Sequence, residues 1–168
     1  MALSVIFTPG MRGYFVPLAA GVVLSASAFL PWVRVGEVAM NGVPDVPALW
    51  VIGLGAIAAV LAFLSLLTRK NSRHPLLIIG LVALGIMFLS WRILPQAVGE
   101  RALTLSQARA IVGNHPMTET PAAEVGIGIY LGLAASAVLT AFGLTIVVRR
   151  ASQPYVVPSP DDDVDDDA

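Results

Sequence analysis

Residues 46–68 read VPALWVIGLGAIAAVLAFLSLLT, a run without one charged side chain. Such a run is too long for an ordinary core helix. It matches the roughly 20 residues a helix needs to cross about 30 Å of hydrocarbon. Lipid offers the backbone no hydrogen-bond partner, so each N–H and C=O must be satisfied within the segment, and helix is the state that does so. The short alternating segments of a membrane barrel are absent.

Three more apolar blocks flank this one, at about 14–32 (YFVPLAAGVVLSASAFLPW), 75–94 and 124–148. The reading is an all-α membrane protein built as a four-transmembrane-helix bundle over 14–150. A short segment, 1–13, precedes it and an acidic tail, 151–168, follows. Composition agrees: 57% of residues are apolar and 12% charged, whereas a soluble domain is about a quarter charged. Pro154, Pro158 and Pro160 lie close to six aspartates (161–163 and 165–167), a composition that buries no core and is expected to be disordered.

The formal net charge of −1 hides this asymmetry, since the chain before the tail is basic. Arg69, Lys70 and Arg73 crowd the link after the second span, Arg149 and Arg150 close the fourth, and Arg12 precedes the first. Arg34, Arg92, Arg101 and Arg109 fall on the other side. The positive-inside rule then places both termini in the cytoplasm of a multi-pass protein. A competing reading takes Arg12 and Ser25-Ala26-Ser27-Ala28 as a cleaved secretory signal. Against it, the apolar run continues through Phe29-Leu30-Pro31-Trp32. Trp32, Trp50 and Trp91 fall near the expected outer boundaries and read as interfacial aromatics. Arg92 and Glu124 sit at outer span ends, placed to snorkel to the headgroups or to pair with each other.

Two outer loops are expected. The first, 33–45, alternates apolar and polar residues and contains Asn41-Gly42, a signal for a short β-hairpin capping the bundle. In the second, 96–123, Leu103, Leu105, Ala108, Ile111 and Val112 recur at helical spacing between Glu100 and Gly113-Asn114-His115-Pro116. That pattern reads as a separate short amphipathic helix.

Sites for chemistry are few. The chain has no cysteine, which excludes disulfides, thiolate metal sites and thiol nucleophiles. His74 and His115 are far apart and make no metal pair. No span carries an ionisable residue at its centre, which argues against proton relays and charge-lined pores. Nucleophile-elbow, zincin, P-loop and dinucleotide signatures are missing. An acid–base set of His115 with Glu100 or Glu119 would sit in a solvated loop with no cause for a perturbed pKa. The aspartate run lacks the spacing of a calcium loop. No catalytic residue, cofactor or metal is expected, and no contact with nucleic acid.

Packing surface is what the spans supply. Gly128, Gly132, Ser136 and Thr140 fall at every fourth position, a ladder of small residues that admits a neighbouring backbone. Gly55, Ala58, Ala59 and Ala62 form a similar stripe in the second span, and Gly21, Ser25 and Ala28 another in the first. Sequence leaves open whether these serve internal packing or a partner.

Leu30-Pro31-Trp32-Val33, followed by Gly36 and Gly42, resembles a group of small bacterial four-helix membrane proteins in which Pro-Trp closes the first helix. The basic turn after the second span and Arg149-Arg150 are similar to tryptophan-associated membrane proteins of actinobacteria. The resemblance implies a bacterial plasma-membrane protein of unassigned role and carries over no functional residue. The function expected is non-enzymatic: an accessory or scaffolding subunit held by helix–helix contacts to other membrane subunits or to a second copy. The alternative is a small-molecule or lipid-handling carrier, which would need a polar cavity built from Ser25, Ser27, Ser65, Ser90, Ser136, Thr140 and Thr145.

Overall fold

A computed structural model describes residues 12–68, 73–113 and 122–151. A 3₁₀ turn at Arg12–Tyr14 leads into α1 (Phe15–Ser27), and a hairpin of β1 (Pro31–Val35) and β2 (Val38–Asn41) follows. Next come α2 (Val46–Thr68), α3 (Arg73–Gly113), β3 (Ala123–Val125) and α4 (Ile127–Ala151). The fold is therefore mostly helical with a small antiparallel sheet ordered β2-β1-β3. Helices α2, α3 and α4 are each long and apolar enough to cross a membrane. Helix α1 has 13 residues and is about 20 Å long at 1.5 Å per residue, so the expected span 14–32 is not a helix throughout. Several expected features lie outside the described residues: Arg69 and Lys70, His115 and Glu119, residues 1–11 and the acidic tail.

Contacts run from α2 to α1, from α1 to α4 and from α4 to α3, while α2 and α3 meet more sparsely. Small residues set these approaches. A side chain on Gly21 would meet Ala59 N at 2.7 Å and Gly55 O at 2.8 Å, and one on Gly55 would meet Gly21 O at 2.7 Å. The α1 and α2 backbones therefore touch where the two sequence stripes meet. Ser25 Oγ ties the pair by donating to Ile52 O at 3.1 Å. Between α3 and α4, a side chain on Gly80 would meet Thr140 N at 2.7 Å, and one on Gly143 would meet Leu77 Cα at 2.5 Å. Leu24, Val51, Ala58, Leu76, Met87, Ile129 and Leu139 fill the interior. At the end away from the sheet, the Arg73 guanidinium lies 5.6 Å above the Phe142 ring, whose edge contact with Tyr14 spans 5.3 Å between centroids.

Three sequence expectations change. The hairpin forms, but its two-residue turn is Gly36-Glu37, with Val35 opposite Val38; Gly36 holds a φ of 59°, the positive value that tight hairpin turns require. Asn41-Gly42 instead ends β2. The separate amphipathic helix does not exist either, because α3 runs unbroken for 41 residues through Pro95. That proline leaves the Trp91 carbonyl without its usual donor. Finally, α4 starts at Ile127, and Glu124 belongs to β3, where the register sets it opposite Arg34.

Candidate functional site

Many hydrogen bonds gather at the corner where α1 turns into the sheet. A helix leaves the carbonyls of its last turn without partners, which is costly inside an apolar bundle. Here each one is answered. Ser27 Oγ donates to Leu24 O at 2.6 Å. The N–H groups of Ala28, Phe29 and Leu30 reach Ser25 O, Ala26 O and Ser27 O, and Val43 N–H reaches Ala28 O at 3.0 Å. The Trp32 indole N–H also donates to Ser27 O at 3.0 Å. Gly42 N–H then bonds Leu30 O, and Gly126 N–H bonds Trp32 O at 2.7 Å. Segments distant in sequence, β1, residues 42–43 and residue 126, thus converge on the end of α1.

Trp32 is the centre of this corner and is fully buried. It sits at a β-bulge, the register slipping by one between Pro31 and Val33, and a bulge re-aims a side chain. The indole lies between two glycines: a side chain on Gly42 would meet Trp32 Cε2 at 2.5 Å, and one on Gly128 would meet Trp32 Cδ1 at 2.7 Å. The interfacial reading of Trp32 is therefore corrected. Because the chain leaves α1 as a strand, the side chain turns inward rather than out along a helix. Trp50, 63% exposed, and Trp91, 36% exposed, do present surface.

The ladder of α4 is spent within the chain. Gly128 receives Trp32 and Ser27 O, Gly132 receives the Met87 side chain, Ser136 is buried, and Thr140 packs on Gly80. Gly55 and Ala59 are likewise covered by α1. Arg92 and Glu124 are exposed, and no ion pair joins them. The hydroxyls expected to line a polar cavity are dispersed. Ser65, Ser136, Thr140 and Thr145 each donate to a carbonyl three or four residues back in their own helix. Among the described residues no cluster of His, Asp and Glu is placed to hold a metal.

Two surface features stand out. One is the sheet-end half of α3, where Leu103, Leu105, Ile111 and Val112 are 50, 58, 82 and 89% exposed. It flanks a cleft of about 280 Å³ lined by Val35, Met40, Val98, Arg101, Ala102 and Leu105. The other is a crevice of about 370 Å³ between α2 and α3, lined by Val46, Pro47, Trp50, Ile86, Leu89 and Ser90. The apolar face of 103–112 follows the helical spacing of the sequence, whereas the cleft and the crevice arise between segments far apart in the chain, so no local pattern announces them. No protein-family model matches the chain, and neither a curated protein nor a solved structure does.

Proposed function

We propose that the chain is a non-enzymatic accessory subunit of a bacterial plasma-membrane complex, spanning the membrane four times with both termini in the cytoplasm. In this reading α1, its 3₁₀ turn and the sealed corner together make the first crossing. The corner's full set of hydrogen bonds supports that, since it lets a helix end at membrane depth without open carbonyls.

One observation carries the subunit role: the exposed apolar side chains at the tip of α3. A helix of 41 residues is about 61 Å long, roughly twice the hydrocarbon thickness. Its sheet-end half therefore stands in water, where Leu103, Leu105, Ile111 and Val112 find no lipid to cover them. Exposed apolar clusters outside a membrane mark protein contact surfaces. The contact is then made by the projection and not by the buried α4 ladder, which has no free face to offer. The carrier alternative gains no support, because its hydroxyls share no cavity.

The test is purification of the full chain from its native membrane in mild detergent, with the wild type beside a Leu103→Glu, Leu105→Glu variant. The expected result is a stoichiometric partner retained by the wild type and lost from the variant, with unchanged helical content and melting temperature. A wild-type chain that purifies alone, or a partner equally retained by the variant, refutes the role.

A further inference from the structure

We infer that the cleft between the sheet and the projecting half of α3 is the docking groove for an acidic amphipathic helix of a partner protein. That role rests on the subunit reading and names the partner's chemistry. One wall is a stripe of α3 centred on Leu105. Arg101 and Arg109 lie four residues before and after it, and Val98 and Val112 lie seven, so all five share one side of the helix. Val98, Arg101 and Leu105 line the cleft, and Arg109 and Val112 continue the stripe beyond it. The other wall is the sheet, with Val35 and Met40. Val38 pairs with Val35 and so stands on the same face. Val38, Met40, Leu105 and Val112 are all exposed.

Charge selects the occupant. Arg101 and Arg109 are both exposed and stand about 12 Å apart along the axis, with Leu105 between them. Glu100, five residues from Leu105, lies about 140° round the helix, on its far side. Arg34 and Glu124 face each other across the strands, on the sheet face opposite to Val35. Glu37, in the turn, is the only acid of the β1–β2 hairpin. The groove side therefore carries two cations against one anion. A second copy is a poor occupant. Centred on Leu105, antiparallel pairing sets Arg101 against Arg109, and parallel pairing sets each arginine against itself, so like charges repel. The bilayer is out of reach as well. A side chain on Gly99 would meet Ala123 Cβ at 3.8 Å, so residue 99 is level with the sheet, and Val112 lies about 20 Å beyond it. A partner helix with carboxylates two turns apart and apolar residues between them meets both guanidiniums and covers the stripe at once.

The test uses the full chain in its native membrane. Arg101→Lys keeps the charge and supplies an amine, which a water-soluble carbodiimide joins to a carboxylate in contact with it. Gln107→Lys supplies the same amine about 160° round the helix from Leu105. The expected result is an amide between the amine introduced at position 101 and an Asp or Glu of a co-purifying protein, located by mass spectrometry, with none from position 107. Arg101→Glu combined with Arg109→Glu, both at exposed positions, should lower the partner retained in mild detergent about ten-fold at unchanged helical content, since like charges then face each other across the contact. Glu37→Gln should not lower it. A partner retained equally by the charge-reversed chain, or linked equally from both positions, overturns the inference and leaves the subunit reading standing. An amide to a second copy or to a lipid headgroup, in place of a partner protein, also overturns it. A wild-type chain that purifies alone refutes the subunit reading and this inference with it.

Discussion

If Trp32 organises the corner where α1 ends, truncating it in two steps should separate the hydrogen bond from the packing. Trp32→Phe keeps an aromatic ring between Gly42 and Gly128 but removes the indole donor. Ser27 O still accepts from Leu30 N–H at 3.3 Å, so the loss is that of one buried hydrogen bond, about 1 kcal/mol, with a small void added. Trp32→Ala empties a site walled by two glycines that have no side chain to move in. Aromatic-to-alanine changes in such sites cost about 3–5 kcal/mol. The assay is equilibrium unfolding in mixed micelles, with dodecyl sulfate titrated into a mild detergent and helix content followed by circular dichroism. Expected midpoints fall in the order wild type, Phe, Ala, with the second step at least twice the first. An alanine variant within about 1 kcal/mol of the wild type, as expected of an interfacial anchor, would refute the assignment of Trp32 as the corner's centre.

The same titration checks three further expectations. Gly80→Ala should destabilise by about 1–3 kcal/mol, since the added carbon meets Thr140 N at 2.7 Å; Gly53→Ala and Gly85→Ala, with nothing within 4 Å, should be neutral or stabilise by up to about 1 kcal/mol. Ser25→Ala should cost about 0.6 kcal/mol, the usual value of an interhelical hydrogen bond in a membrane protein, and a loss above about 2 kcal/mol would mean that Ser25 does more than bond Ile52 O. A double-mutant cycle on Arg34 and Glu124 should give about 0.2–1 kcal/mol of coupling, as for oppositely charged residues facing across strands, and no coupling would indicate a different register.

Much of this fold is legible in order along the chain. The uncharged run at 46–68 coincides with α2, because length and apolarity alone decide a membrane-length helix. The small-residue stripes at Gly21 and Ser25 and at Gly55 and Ala59 mark real backbone contacts. The failures cluster where two local signals agree on different answers. Pro95 can stop one helix or sit in the first turn of the next, and the strong helix formers that follow it carry α3 onward at the cost of one hydrogen bond. Trp32 lies near a span boundary, where indoles favour the interface, yet it is a bulged strand residue. That state is fixed by pairing with β2 and with residues 125–126, nearly a hundred positions away.

The unbroken course of α3 also has a mechanical consequence. In the orientation proposed above, one continuous helix joins the hydrocarbon to the aqueous space, and the part that emerges, 92–113, is about 33 Å long. A change of about 10° in its inclination would swing Gly113 sideways by about 6 Å, and shifts of inclination are how a long helix adapts to bilayer thickness. In that orientation the helix would act as a lever, turning a slight change in the membrane into a large displacement at the tip.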